Sequence, residues 1–192
     1  ALDLPVGFDT DVNGAALAES RWGAGQGKPA CVYITIGTGI GGGAIIDGKP
    51  LQGLSHPEMG HIRLPRHPLD TEFPGICPFH GDCLEGLASG PAIKARWGVS
   101  LSELPYDHEA HAIIAWYLAH MVVTLQSIME PGCVILGGGV TATPALLDRI
   151  RVQADKLGGG YFRGQAADII VAPGLGDKAG LLGGLALAQD IW

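Results

Sequence analysis

Four side chains that can bind a metal ion lie close together in the sequence. The segment Cys77-Pro-Phe-His80-Gly-Asp-Cys83 places two thiols and one imidazole in one loop, and His61 precedes it. Two thiolates and two imidazoles form a tetrahedral Zn²⁺ site of a known type, and full ligation by protein indicates a structural ion. Calcium and magnesium are disfavoured because they prefer oxygen ligands. We therefore predict a structural zinc site at these four residues.

The same residues leave alternatives open. Cys77 and Cys83 could instead form a disulfide or remain free surface thiols. His56 and His67 lie near enough in the sequence to replace His61 as the fourth ligand. We expect His61, because it ends the regular segment Glu-Met-Gly-His.

The first of two glycine-rich segments follows an apolar run at 30–36. Its sequence is Gly37-Thr38-Gly39-Ile40-Gly41-Gly-Gly. Glycines let the main chain approach an anion closely, with free amides and the Thr38 hydroxyl as donors. No Gly-Lys-Ser/Thr follows, so this is not a Walker loop, and a strand pattern follows where a dinucleotide fingerprint needs a helix. The segment predicts phosphate binding; a turn without a ligand is the alternative.

The second glycine-rich segment is Gly137-Gly-Gly-Val140-Thr141, after an apolar run at 133–136. A helix is expected to follow, with Thr143 as its N-cap and Pro144 in its first position. Ligands bind at such junctions between a strand and a helix in open α/β sheets. A tight connection without a ligand is the alternative.

Three acids are candidates for chemistry. Asp11 lies where a strand end meets a helix start, so it is either a catalytic base or an acid favoured by the helix dipole. Glu58 and Glu85 flank the predicted zinc loop, where they either bind a ligand or are solvated charges.

These residues are set among alternating strand and helix patterns, which are typical of an α/β fold. Residues 52–82 show little regular pattern, and a loop of that length in a compact domain is usually functional or braced. Strand patterns lie at 5–8, 30–36, 44–46, 133–136 and 169–171, and helix patterns at 11–24, 83–88, 91–97, 107–129, from 144 onward, and at 178–189.

Composition limits the class of protein. Of the 192 residues, 47% are apolar and 16% charged, which indicates a folded globular chain. The net charge of −7 disfavours a surface for duplex DNA. No apolar run reaches the ~20 residues that span a bilayer, and the first residues lack a signal-peptide pattern. Cys31 and Cys133 open apolar runs and are expected to be buried and inert, so the cysteines fit a reducing cytoplasm.

In this order, the segments resemble the ROK (repressor, open reading frame, kinase) family of sugar kinases over nearly the whole chain. Phe8-Asp-Thr-Asp11-Val-Asn13 is similar to the family's segment with the catalytic aspartate. Glu58-Met-Gly-His61 is similar to its Glu-x-Gly-His sugar and zinc motif. The segments 35–43, 83–90, 134–140 and 179–184 are similar to its second phosphate loop, zinc-knuckle exit, adenosine-side turn and last helix.

The resemblance implies a ribonuclease H-like domain of the actin-like ATPase and sugar kinase class. This α/β domain has a mixed central sheet, helices on both faces and a zinc-knuckle loop at about 52–83. The domain is expected at 1–177, with a terminal helix at 178–192 that packs toward an amino-terminal lobe. That lobe and the family's first phosphate motif, Asp-x-Gly-Gly-Thr, have no counterpart in these residues, so this half alone is expected to be inactive.

The resemblance also implies phosphoryl transfer from Mg-ATP to a sugar, with Asp11 as general base and Zn²⁺ as a structural ion. A cytoplasmic homodimer that binds sugar and ATP, and neither nucleic acid nor membrane, is expected. Sugar contacts are expected at Thr10, Asn13, Glu58, His61 and Glu85. Nucleotide contacts are expected at Gly37, Thr38, Gly39, Gly41, Pro91, Gly137, Gly138, Gly139 and Val140.

Two departures from common family members favour the fructokinase branch, and therefore conversion of fructose to fructose 6-phosphate. The knuckle has Cys77-x-x-His80-x-x-Cys83 where many members have Cys-x-Cys-Gly-x-x-Gly-Cys, and Thr10 replaces the Asn of many glucokinases. Two alternatives remain: the sugar domain of a ROK repressor, or a zinc-stabilised binding module without turnover. Asp11 and the lack of a helix-turn-helix segment favour the kinase.

Overall fold

The computed structural model describes residues 5–190, and within them a five-stranded mixed sheet has the order β3-β2-β1-β4-β5. The strands are β1 (Ala30–Ile36), β2 (Ile40–Ile46), β3 (Lys49–Pro50), β4 (Cys133–Gly137) and β5 (Ile170–Val171). The helices are α1 (Asp11–Trp22), α2 (Leu84–Ala88), α3 (Gly90–Trp97), α4 (Glu109–Met129), α5 (Leu146–Gly158), α6 (Ala166–Ile169) and α7 (Ala179–Gln189).

The register of the sheet brings the two glycine-rich segments to the same edge. β1 pairs with β2 as an antiparallel hairpin, with Ile36 opposite Ile40 next to the turn. β1 also pairs in parallel with β4, with Thr35 opposite Gly137. Because parallel strands end on the same side of a sheet, the hairpin turn and the turn after β4 lie next to each other.

Helices cover both faces of the sheet, as the resemblance implied. On one face, α1 and α7 pack on a core that includes Leu17, Ile135 and Ala186. On the other face, α2, α4 and α5 enclose a larger core that includes Val134 and Leu118. Apolar side chains point to both faces of β1 and β4, which explains why their sequences are continuous apolar runs.

Helix α4 begins at Glu109, two residues later than predicted, and ends at the predicted Met129. Its 21 residues contain one charged side chain, Glu109, and by length and composition it could cross a membrane. Half of its most apolar window is buried, however, and α2 and α5 pack against it. Its apolar character is therefore accounted for by its place in the core.

Three sequence predictions about local structure are wrong. Residues 5–8 are exposed and irregular, not the end of a strand. The helix expected at Pro144 begins at Leu146, because Ala145 adopts a left-handed conformation with φ of 60° that interrupts helical geometry. Thr143 is buried in the preceding turn, where its amide donates to the Val140 carbonyl, and so it is not the N-cap.

The long loop between β3 and α2 is braced by a buried ionic network that the sequence did not predict. Asp70 is 5% exposed and accepts a 2.7 Å hydrogen bond from the hydroxyl of Tyr117 on α4. The guanidinium group of Arg96 on α3 lies 3.1 Å from Asp70 and stacks on the ring of Phe73. The network therefore fastens the middle of the loop to two helices without a metal ion.

Candidate active site

The structure brings His61, Cys77, His80 and Cys83 together. Their ligand atoms all lie within 4.8 Å of one another. Nδ1 of His61 is 3.7 Å from Sγ of Cys77, 3.5 Å from Sγ of Cys83 and 3.3 Å from Nδ1 of His80. His61 lies on a single helical turn (Met59–His61), and Cys83 precedes α2 as its N-cap residue.

These separations fit one tetrahedral zinc ion. Zinc bonds of about 2.0 Å to nitrogen and 2.3 Å to sulfur give tetrahedral edges of about 3.3 to 3.8 Å. Both cysteines are buried and unpaired by disulfide. Burial alone opposes ionisation of the Cys77 thiol, but hydrogen bonds from the main-chain amides of Phe79 and His80 and from the Cys83 side chain together lower its pKa. Burial and the adjacent Cys77 raise the pKa of the Cys83 thiol.

The structure distinguishes between the candidates for the fourth ligand. Nε2 of His56 lies 2.9 Å from Oε1 of Glu58, and the ring of His67 packs edge-on against Trp116. Neither imidazole joins the cluster, whereas His61 does. His61 as the zinc ligand remains a prediction, now supported by its position.

The tip of the β1–β2 hairpin contains Gly37, Thr38 and Gly39. The Gly37 amide donates to the Gly39 carbonyl at 2.9 Å, and the Thr38 side chain is exposed. Gly41 lies in β2 and not in the turn, and a Cβ at this position would be 3.0 Å from Val12 of α1. The glycines at the start of β2 therefore allow α1 to pack closely, a role that the sequence pattern did not reveal.

The turn after β4 is tied directly to the hairpin strand. Gly138 has φ of 93°, and a Cβ there would lie 2.4 Å from the Ile36 carbonyl oxygen, so glycine is required. The Val140 amide donates to that same carbonyl at 3.0 Å. On the other side, the Gly90 amide at the start of α3 donates to the Gly37 carbonyl at 2.8 Å. Three separate elements thus meet at one place.

A cavity of about 350 Å³ lies where these elements meet. Five predicted nucleotide residues line it: Gly37, Thr38, Pro91, Gly139 and Val140. A second cavity of about 460 Å³ is lined by Gly137 and Gly138 together with Tyr33 and Asp177. The turn after β4 therefore separates two cavities. Five of the nine predicted nucleotide residues line the first and two line the second, whereas Gly39 and Gly41 line neither of these two.

Seven residues that line the 350 Å³ cavity were not predicted to contact the nucleotide, and four of them have polar side chains: Lys94, Ser100, Ser102 and Thr143. A signal for part of this wall was present, because Ser100-x-x-Glu103 is a capping-box pattern. In the structure Glu103 accepts from the Ser100 amide at 2.9 Å. This capped turn forms part of the wall of the cavity.

Asp11 is the first residue of α1, with its carboxylate exposed to solvent. Thr10 caps the helix by accepting from the Asn13 amide at 3.2 Å. The next residue, Val12, packs against Gly41 of the hairpin, which places Asp11 beside the strand that leaves the glycine turn. Asn13 is fully buried, and its predicted sugar contact remains a prediction.

The two carboxylates that flank the zinc cluster have different surroundings. Glu58 is exposed and contacts His56. Glu85, two residues after Cys83, reaches the glycine turn, where its Oε2 atom accepts a hydrogen bond of 2.9 Å from the Ile40 amide. The cluster, the turn and α1 thus surround a common region.

The fold is an α/β domain of the actin-like ATPase class, and its knuckle contains two cysteines and two histidines that could hold a metal ion. The model of the ROK family matches residues 1–191, and the chain belongs to the ROK family. It is 54% identical over 191 residues to a fructokinase of Zymomonas mobilis and 47% identical over 194 residues to a putative fructokinase of Bacillus subtilis. Each match covers 98% of this chain and 64% of the relative, so the chain spans about two thirds of these proteins.

Solved structures show the same fold. A ROK family glucokinase from Streptomyces griseus, in complex with glucose and AMPPNP, superposes with a TM-score of 0.77 at 31% identity. The match covers 98% of this chain and 70% of that one. The expected mixed sheet with helices on both faces is therefore confirmed.

Proposed function

We propose that the whole protein, of which these residues form the larger part, transfers the γ-phosphoryl group of Mg-ATP to fructose and yields fructose 6-phosphate. The observation that carries the proposal is the meeting of the Thr38 turn, the Val140 turn and the start of α3 around one cavity. Fructose is favoured over other hexoses by Thr10, by the His80 knuckle and by the fructokinases among the relatives.

The proposed roles follow from position. Asp11 accepts the proton of the attacking sugar hydroxyl, and its exposed place at the start of α1 leaves it open to a ligand. Glu58, His61 and Glu85 orient sugar hydroxyls, together with Thr10. The Thr38 turn contacts the phosphates, and Mg²⁺ arrives with the nucleotide. Phosphoryl transfer depends mainly on such positioning and on charge stabilisation.

The donor set fits zinc and not a hard cation, since it consists of two sulfur and two nitrogen atoms. His61, Cys77, His80 and Cys83 would hold the ion. When bound, zinc supplies a structural cross-link that fixes His61 and the start of α2. The same proposal places the intact protein in the cytoplasm as a homodimer. It also predicts that residues 1–192 without the amino-terminal lobe have no turnover.

The intact protein tests this function directly. ADP release with ATP should be fastest on fructose when fructose, glucose and mannose are compared. Asp11→Asn should lower kcat roughly 10²–10⁴-fold, the usual contribution of a positioned base, without raising the KM for ATP. Asp168→Asn, an exposed acid on α6, is the matched control and should keep full activity. Normal turnover of Asp11→Asn would refute the assigned base.

A further inference from the structure

The Glu85 carboxylate makes contacts that a sugar ligand alone does not explain. Its Oε2 atom accepts a 2.9 Å hydrogen bond from the amide of Ile40, at the exit of the glycine turn. The same oxygen would lie 2.7 Å from a Cβ placed on Gly39. Glu85 is therefore the side chain that occupies the space where a Cβ of residue 39 would lie.

A second contact joins the same two parts of the chain. The amide of Gly90, the first residue of α3, donates to the Gly37 carbonyl at 2.8 Å. The segment 85–90 thus spans the glycine turn and holds it at both ends, at Gly37 and at Ile40. The Ile40 contact is the stronger of the two per bond, because its acceptor is charged.

The two oxygens of Glu85 have different surroundings. Oε2 is engaged by Ile40, while Oε1 makes no hydrogen bond to another residue between Pro5 and Asp190. Glu85 is partly exposed, so a ligand can reach it. Its backbone is fixed by α2, which begins immediately after Cys83. One carboxylate can therefore serve a sugar hydroxyl and the nucleotide turn at the same time.

We infer that Glu85 is a positioning residue for nucleotide binding, in addition to its sugar contact, and that it couples the two substrate sites. This inference rests on the proposed function. Because coupling between ligands is reciprocal, a sugar that orders Glu85 also orders the Ile40 turn, and a nucleotide that orders the turn prepares Glu85 for the sugar.

Glu58 provides the matched comparison, since it is the other predicted sugar carboxylate and contacts His56 but not the turn. The affinity of the intact protein for Mg-ADP should be measured by calorimetry without sugar. Glu85→Ala should weaken it about tenfold, the usual effect of losing one charged hydrogen bond. Glu58→Ala should leave it unchanged. Glu85→Gln should restore it nearly to the wild-type value, because the amide oxygen can still accept from Ile40.

A second measurement does not depend on the nucleotide. Hydrogen exchange at the Ile40 amide should accelerate in Glu85→Ala and stay slow in Glu85→Gln, while zinc content, measured in the same samples, remains unchanged. Wild-type affinity of Glu85→Ala for Mg-ADP, or an unchanged Ile40 exchange rate, would overturn the inference and leave the kinase proposal intact. Failure of the wild type to bind Mg-ADP would instead contradict the proposed function itself.

Discussion

The side-chain amide of Asn13 donates a 2.7 Å hydrogen bond to the carboxylate of Asp9, and this bond orients an amide that is completely buried. Asp9 also accepts from the Thr10 amide at 2.7 Å and from Nε2 of Gln52 at 3.3 Å. It therefore joins the first turn of α1, which carries Asp11, to the loop that leads toward Glu58.

Replacing Asp9 should reduce stability, in contrast to replacing Asp11. Asp9→Ala leaves the buried Asn13 amide without its acceptor, which costs about 1–3 kcal/mol. Asp11→Asn should cost under about 1 kcal/mol, because its exposed carboxylate accepts a hydrogen bond from the Val12 amide at the helix terminus, which an asparagine oxygen can also accept. Urea unfolding of the intact protein measures both changes. Equal stability losses in the two variants would contradict the role given to Asp9.

The zinc cluster makes a prediction about metal content. The purified intact protein should contain about one zinc per chain, and His61→Ala or Cys83→Ser should lose it, because three ligands hold a structural ion much less tightly than four. His56→Ala and His67→Ala are controls, since both imidazoles lie outside the cluster. Elemental analysis measures the content. Retention of zinc by His61→Ala together with its loss from His56→Ala would disprove the assignment.

Removal of zinc should open only part of the long loop. The residues around Cys77 and Cys83 should become accessible to protease, whereas those around Asp70 should stay protected by Tyr117 and Arg96. Zn²⁺, and not Mg²⁺, should restore protection. Cleavage beside Asp70 as fast as beside Cys77 would show that the ionic network does not hold the loop.

The Asp70–Tyr117 pair also gives a dependence on pH. Burial, with the hydrogen bond to Asp70, raises the pKa of Tyr117 to about 12, above its ordinary value of about 10. The folded state therefore favours the protonated hydroxyl, and this contribution is complete below pH 10 and lost as the pH rises toward 12. The loss is on the order of 2 kcal/mol. Urea unfolding from pH 9 to 11.5 should show a steeper decline in the wild type than in Tyr117→Phe. If the free energy of unfolding fell equally with pH in both proteins, the role given to the Tyr117 hydroxyl would be contradicted.

The sequence predicted the elements whose signal is local. β1 was predicted with its observed bounds and β4 to within one residue, because continuous apolar runs mark strands that are buried on both faces. The cluster at Cys77 and Cys83 was predictable because three of its four members are near neighbours in the sequence. The start of α5 could not be predicted, because nothing in the residue types indicates that Ala145 adopts a left-handed conformation.

Contacts between distant segments escaped the sequence analysis. Asp70 meets Tyr117 across 47 positions, and Glu19 accepts from the Gly174 and Leu175 amides across more than 150. The residue type alone does not show whether a carboxylate will be buried or solvated in the fold. The glycines of β2 were misread for a different reason. Glycine occurs both where a helix packs closely on a strand and where a turn needs a flexible main chain, so the residue type alone does not distinguish the two.

Gly39 provides the last prediction, because its contact with Glu85 can be tested independently of any ligand. Its backbone is not in the left-handed region, so alanine is compatible with its conformation, but the new methyl would lie 2.7 Å from Oε2 of Glu85. Gly39→Ala should displace the carboxylate from Ile40 and cost about 1.5–3 kcal/mol, the range for a hydrogen bond to a charged group. Gly37→Ala is the matched control, since a Cβ there meets no atom within 4 Å among the described residues.

The physical cause of that cost is the presence of Glu85, so the effect of Gly39→Ala should nearly vanish in a Glu85→Ala background. Urea unfolding of the four proteins in this cycle gives the coupling energy directly, because two residues in contact are expected to be non-additive. Additive losses would mean that Gly39 is needed for some other reason, such as conformational freedom of the turn. A loss in Gly37→Ala as large as that in Gly39→Ala would lead to the same conclusion.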